Sequence, residues 1–198
     1  GVRVCKVGVG GAPPGKSAPL QTAEEAMSGV PRPNAHASVV TAACGSRDGA
    51  HLVTAGAEGS VLVWDCKKGR VTHRIHHHAQ VNAISFCLPN SIYFSVGGCP
   101  SSPHLARHHD PTTPAPEFEV VTYNVERGTR FSGSIFAHTT EVLGLAYSPD
   151  GSLLASCARG DSRIGVALFE SGFDTPPSYL EGHEGGVEAI AYSSKGVL

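Results

Sequence analysis

His36-Ala37-Ser38-Val39-Val40 opens a segment that runs through Ser46-Arg47-Asp48-Gly49 to Val63-Trp64-Asp65. The same order of residue types returns at His77, at His138 and, in part, at His183. Four residues after each histidine stands a valine: Val40, Val81, Val142, Val187. Seven after stand Ala43, Ile84, Leu145 and Ile190, and nine after stand Gly45, Phe86, Tyr147 and Tyr192. A turn follows each time: Ser46-Arg47-Asp48-Gly49, Cys87-Leu88-Pro89-Asn90, Ser148-Pro149-Asp150-Gly151 and Ser193-Ser194-Lys195-Gly196.

The correspondence carries into a second strand. Sixteen residues after the first three histidines come Leu52, Tyr93 and Leu154; eighteen after come the hydroxyls Thr54, Ser95 and Ser156. A third strand then ends in an aromatic with a polar follower: Trp64-Asp65, Tyr123-Asn124 and Phe169-Glu170. Short runs of β-formers bounded by Gly, Asp, Asn and Ser read as strands, and no long helical period competes with them. Self-similarity at this spacing is the mark of stacked repeats, here one four-stranded sheet per period. A lone sheet cannot bury its own face, so neighbouring sheets must stack.

These features resemble the WD40 repeat family. Gly182-His183 and Trp64-Asp65 match its two name-giving dipeptides, and Ser148-Pro149-Asp150-Gly151 matches a frequent turn. The resemblance covers residues 36–198 and implies an all-β, WD40-type β-propeller, here partial: about three full four-stranded blades and parts of two more. The expected blades are 36–76, 77–137 with a loop insert at 97–117, 138–182, and 183–198. Residues 1–35 read as the end of a preceding blade with a Gly/Pro-rich insertion. A closed propeller of this kind has roughly seven blades of about 40–45 residues. The remaining blades are therefore expected from the same or another polypeptide, since an open arc leaves edges and a sheet face bare.

The resemblance also implies a buried polar network in each blade, joining histidine, hydroxyl, a hairpin acid and tryptophan. The candidates are His36, Thr54 and Trp64, with Glu58 where Asp is usual; His77 and Ser95, with Tyr123 in the aromatic position; His138 and Ser156, with Asp161 and Phe169; and His183. None of the sets is complete, so water or backbone is expected to fill the gaps. Tyr147 and Tyr192 share the position of Phe86 and read as core between blades.

Composition narrows the function. Charged residues make up 16% and the net charge is −2, so no basic stripe suggests nucleic acid. No apolar run approaches the length of a spanning helix, and membrane insertion is not expected. The six cysteines at 5, 44, 66, 87, 99 and 157 form no C-x-x-C pair and read as reduced thiols of an intracellular, cytoplasmic protein; the resemblance to WD40 proteins adds cytoskeletal or ciliary association as an implication.

Three motifs suggest other chemistry. Gly10 to Ser17 fits the phosphate-binding pattern G-x-x-x-x-G-K-S, but Pro13 and Pro14 remove two N–H donors from the loop and Pro19 interrupts the helix that should follow. His73, His76, His77 and His78 with Cys66, and His104, His108 and His109, could attract a transition metal. Adjacent strand residues point opposite ways, however, so the three neighbours His76, His77 and His78 cannot all converge on one ion. No nucleophile elbow or recurrent carboxylate pair appears. No enzyme activity, cofactor or metal is therefore expected.

The expected role is a non-catalytic protein-interaction scaffold, a structural subunit bound to other proteins in a large complex. The alternative is a reader of short peptide motifs; nucleotide binding through 10–17 is the remote third. The resemblance places partner contacts on the face carrying His76, Gln80, Glu141 and Glu184, with Arg107, Arg159 and Arg163 as its basic points.

Overall fold

The computed structural model describes residues 36–77, 79–100, 118–132, 135–159 and 165–198. Residues 36–198 form a unit of their own. Every regular element described is a strand: β1 (Val40–Gly45), β2 (His51–Gly56), β3 (Ser60–Asp65), β4 (Arg70–His76), β5 (Ala79–Phe86), β6 (Tyr93–Pro100), β7 (Phe118–Asn124), β8 (Ile135–His138), β9 (Val142–Tyr147), β10 (Leu153–Ala158), β11 (Val166–Glu170) and β12 (Ser178–Leu180). They build three antiparallel four-stranded sheets in sequence order, β1 to β4, β5 to β8 and β9 to β12. This is the all-β, partial-propeller arrangement that the repeat implies.

The sheets stack face to face. Between the first and second lie Val53, Ala55, Val61, Val63, Val81, Phe94, Val96, Val121 and Tyr123, all buried. Between the second and third lie Val120, Val142, Leu145, Tyr147, Leu154 and Phe169. Burying a Val, Leu or Phe side chain stabilises by about 1.5–3 kcal/mol, so both boundaries hold the sheets firmly. The first strands of successive sheets also touch, β1 against β5 and β5 against β9.

The connecting turns explain the recurrent Ser-x-Asp-Gly. In the third sheet Ser148 Oγ donates to Asp150 Oδ1 at 2.6 Å and accepts from Leu153 N–H at 2.9 Å, with Gly151 at φ +74. The first sheet repeats this with Ser46, Asp48 and His51 N–H, and Gly49 at φ +68. Glycine enters that left-handed conformation without steric cost. Gly151 has a second reason to be glycine: a Cβ there would lie 1.6 Å from the Leu88 carbonyl oxygen of the second sheet's turn.

The second sheet departs from the expected spacing. Gly45 pairs with Leu52 in the first sheet and Tyr147 with Leu154 in the third, whereas Phe86 pairs with Phe94. The β5–β6 turn, which holds the cis Leu88-Pro89 bond, is therefore one residue longer. Side chains alternate along a strand, so one extra residue moves every following side chain to the other face. Phe94, not Tyr93, matches Leu52 and Leu154, and Val96, not Ser95, matches Thr54 and Ser156. Tyr123 stays in step with Trp64 and Phe169, because Phe94 pairs with Tyr123 as Leu52 pairs with Trp64 and Leu154 with Phe169.

The insert expected at 97–117 is also shorter at its start. Residues 97–100 belong to β6, which pairs with β5 as far as Ala79 opposite Pro100. Gly97 and Gly98 are strand glycines forced by close approach: a Cβ would meet Val142 Cγ1 at 2.8 Å in one case and the Gln80 carbonyl oxygen at 1.8 Å in the other. Residues 101–117 lie outside the described residues.

No strand is assigned within 183–198. The segment still lies along the third sheet, with Val187 N–H donating to the Ala158 carbonyl at 3.0 Å and Ile190 close to Gly144. Its turn keeps the glycine but closes one residue earlier and without the Asp: Val197 N–H donates to Ser193 Oγ at 3.0 Å, and Gly196 sits at φ +82.

Candidate functional site

In the first sheet β2 and β3 carry Thr54 and Trp64 on the face turned away from the second sheet. Trp64 Nε1–H donates to Thr54 Oγ1 at 2.9 Å, and His36 Nε2 lies 2.8 Å from the same oxygen. His36 Nδ1 is 2.9 Å from Glu58 Oε1. With Nδ1–H donating to the carboxylate, Nε2 accepts from the Thr54 hydroxyl, and all bonds run in one direction from indole to carboxylate. Ser60 Oγ also donates to Glu58 Oε1, and Ala37 N–H reaches it at 3.3 Å.

This network is complete, contrary to the expectation that Glu58 would leave a gap. The longer side chain folds back over Gly56, where a Cβ would stand 2.0 Å from Glu58 Oε2. Burial opposes ionisation of Glu58, but hydrogen bonds from Ser60, its own backbone and His36 prevail and bring its pKa down to about 2.

The other sheets solve the problem differently. His138 Nε2 lies 2.7 Å from Ser156 Oγ, while Phe169, in the tryptophan position, has no N–H to offer. Asp161 lies outside the described residues. In the second sheet His77 Nδ1 lies 3.0 Å from the Tyr123 hydroxyl, with the two rings edge to face. Ser95 does not join His77, because the longer turn aims it at the third sheet. There it lies 2.8 Å from both Thr122 Oγ1 and the Tyr147 hydroxyl. Burial pushes the Tyr147 phenol up to about 12, in spite of the opposing hydrogen bond with Ser95. His183 is exposed and joins no such network among the described residues.

Further polar bonds cross between sheets. Thr41 Oγ1 donates to the Val81 carbonyl, Arg47 N–H to Ser91 Oγ at 3.2 Å, and Tyr147 N–H to Ser85 Oγ at 3.2 Å.

The strand pairings place one set of ends together. Val40 faces Gly56, Ser60 faces His76, Ala79 faces Pro100, and Val142 faces Ala158. His76, Glu141, Arg159 and Glu184 are exposed, the first three at or beside these strand ends. Gln80 is half-buried and its Nε2 donates to Asn82 Oδ1 at 2.9 Å; Asn82 Nδ2 in turn reaches Cys99 Sγ at 3.3 Å. Arg159 Nη2 lies 3.6 Å from Glu188 Oε1. Both are exposed, so their pairing is worth less than about 1 kcal/mol, and Arg159 keeps its freedom to meet another chain. Arg107, Arg163, Gly10 to Ser17, His78, His104, His108 and His109 lie outside the described residues.

Among the described residues no three His, Cys, Asp or Glu side chains gather in a metal-binding group. The described cysteines are free thiols. Burial pushes Cys157 up to about 11 and raises Cys44, Cys87 and Cys99, which keeps them protonated and unreactive. No described helix is long and apolar enough to cross a membrane.

The family described as "WD domain, G-beta repeat" matches residues 30–65 and 130–166. The first match spans the His36, Thr54 and Trp64 network and the second the His138 and Ser156 pair. The chain belongs to the WD40 repeat family. Relatives carry the same repeat. The anaphase-promoting complex subunit cdh1 of Dictyostelium discoideum is 30% identical over 111 residues, which cover 56% of this chain and 12% of that protein. The WD repeat-containing protein srw1 of Schizosaccharomyces pombe is 31% identical over 156 residues, covering 76% of this chain and 23% of srw1. The chain thus spans an eighth to a quarter of these curated relatives. A chain from the crystal structure of the mitotic checkpoint complex superposes with a TM-score of 0.64 at 21% identity, over 82% of this chain and 45% of that one. At that identity the likeness concerns the WD40 fold alone.

What sequence reading missed is the hydroxyl of Tyr147 as a bond between sheets and Gly56 as the space for Glu58. The second left a signal, a glycine two residues before the acid in the one repeat that has Glu.

Proposed function

We propose that this WD40 chain is a non-catalytic protein-interaction scaffold, a structural subunit of a larger intracellular assembly. The observation that carries the reading is the combination of a rigid frame with an irregular charged rim. The sheets are joined by apolar cores and by hydrogen bonds from Thr41, Arg47, Ser95 and Tyr147. On that frame His76, Glu141, Arg159 and Glu184 stand exposed. Side chains held on a rigid frame lose little conformational freedom when a partner docks. The names of two similar proteins point the same way: one is a subunit of the anaphase-promoting complex, and one belongs to the mitotic checkpoint complex.

Crosslinking followed by identification of the neighbours, with the protein and with its Glu141→Lys/Arg159→Glu/Glu184→Lys variant, tests this reading. The expected result is loss of specific neighbours at unchanged melting temperature. An unchanged set of neighbours rejects that face as the docking surface.

The second reading is a receptor for short peptide motifs at the same strand ends. The half-buried polar group of Gln80, Asn82 and Cys99 favours it, since such groups can orient a bound backbone. It predicts measurable affinity for a free peptide, lost in Gln80→Ala. Nucleotide binding through residues 10–17 is dropped if fluorescent ATP shows no saturable binding that Lys16→Ala removes.

A further inference from the structure

The turns after β3 and β7 share one backbone and one charge. Asp65 Oδ1 accepts Lys68 N–H at 2.9 Å, with Gly69 at φ +62. Asn124 Oδ1 accepts Arg127 N–H at 2.9 Å, with Gly128 at φ +63. This conformation needs an Asp or Asn at its start and a glycine that tolerates a positive φ. It does not need the cations around it: Lys67, Lys68, Arg70, Arg127 and Arg130. The only other Lys or Arg among the described residues are Arg47, Arg74, Arg159 and Lys195. The equivalent turn of the third sheet, Glu170-Ser171-Gly172-Phe173-Asp174, carries none.

The two basic turns are held side by side. The His73 ring on β4 packs on Gly128, where a Cβ would lie 2.6 Å from the ring. Lys67, Arg70 and Arg127 are exposed. Lys68 is paired with Asp65 at 3.0 Å, and Arg130 lies 3.5 Å from Glu119. Next to Arg130, Phe131 is 55% exposed, its ring centre 4.2 Å from that of Tyr93 and tilted 37° to it. β4 is the edge strand of its sheet. Basic residues on edge strands can simply discourage aggregation. That accounts for Arg70 and Arg74, but not for Lys67, Lys68, Arg127 and Arg130, which stand on or after turns.

We propose that this rim, across the first two sheets and at the opposite end from Glu141 and Arg159, binds an acidic segment of a partner protein, with an apolar side chain of that segment seated on Phe131. The proposal rests on the reading of the chain as an interaction platform and adds a second surface to it. Charge complementarity selects the occupant. The exposed Lys67, Arg70 and Arg127 offer positive charge to a short acidic segment, whereas an extended polyanion would also meet Asp65, Glu126 and the net charge of −2.

Fluorescence anisotropy of a labelled Asp/Glu peptide with one central Phe tests it, against the same peptide with Lys replacing the acids and against a single-stranded oligonucleotide. The acidic peptide is expected to bind saturably and to weaken with added salt. Lys67→Glu/Arg70→Glu/Arg127→Glu is expected to lose at least about tenfold in affinity, or about 1.4 kcal/mol, and Arg159→Glu to lose nothing. The milder Lys67→Gln/Arg70→Gln/Arg127→Gln variant, with an unchanged melting curve, should lose in the same direction. No saturable binding, equal affinity in the glutamine variant, or preference for the oligonucleotide overturns the proposal. Neighbours still lost in the Glu141/Arg159/Glu184 variant would then leave the platform reading intact.

Discussion

Ser95 Oγ lies 2.8 Å from the Tyr147 hydroxyl, across the boundary between the second and third sheets. The contact exists because the β5–β6 turn holds one residue more than its counterparts. Without that residue Ser95 would face the first sheet, beside His77. The serine is therefore a strut between sheets, and the histidine network of its own sheet goes to Tyr123 instead.

Thr54 is the shared oxygen of the first network. Thr54→Val keeps the shape but removes the acceptor for Trp64 Nε1–H and the partner of His36. Leaving a shielded donor unpaired costs about 1–3 kcal/mol. Urea unfolding should show a lower midpoint with an unchanged slope. Trp64→Phe should cost less, since it removes donor and side of the bond together.

Glu58 sets a pH dependence. Its folded pKa of about 2 lies below the ordinary 4.5, so the folded state favours the ionised carboxylate. Stability from this group is fully present above about pH 4.5 and is lost as pH falls toward 2. Melting temperatures of the protein and of Glu58→Gln should differ near neutral pH and converge across that window. A constant difference down to pH 2 would mean that the carboxylate is not the anchor of His36.

Two glycines with the same conformation should respond differently. Gly49 at φ +68 has open space around it, so Gly49→Ala carries backbone strain alone, about 1 kcal/mol. Gly151 at φ +74 would drive its new methyl into the Leu88 carbonyl. Gly151→Ala should therefore cost clearly more, about 3 kcal/mol or above. Thermal unfolding of the pair reads the difference directly.

Thiol access should follow burial. Cys66 is exposed, whereas Cys157 is buried with its pKa pushed up to about 11. A maleimide probe at neutral pH should label Cys66 in the native protein and Cys157 only after denaturation; peptide mapping distinguishes the two.

Much of this fold was legible in the sequence because the repeat is written in residue types that have one physical use each. Val40, Val81 and Val142 mark first strands. Ser148-Pro149-Asp150-Gly151 specifies a turn through its own side-chain bonds. Trp64 and Phe169 end third strands. Spacing failed where one residue was added at a turn: Ser95 has the right chemistry at the expected number and the wrong face. It also failed at Gly97 and Gly98, where glycines read as a loop are demanded by the approach of Val142 and Gln80. The strand-end residues were identifiable only by position. Gly56 two residues before Glu58 was the one trace of the room that acid needs, whereas nothing in the sequence shows that two like-charged turns lie side by side because His73 rests on Gly128.

The offset of the second sheet is tested most directly by two double-mutant cycles, read by chemical denaturation. If Ser95 faces the third sheet, Ser95→Ala and Tyr147→Phe should couple by about 1 kcal/mol, while Ser95→Ala and His77→Ala should add independently. Coupling of Ser95 to His77, with none to Tyr147, would contradict the offset and the stacking of the sheets built on it.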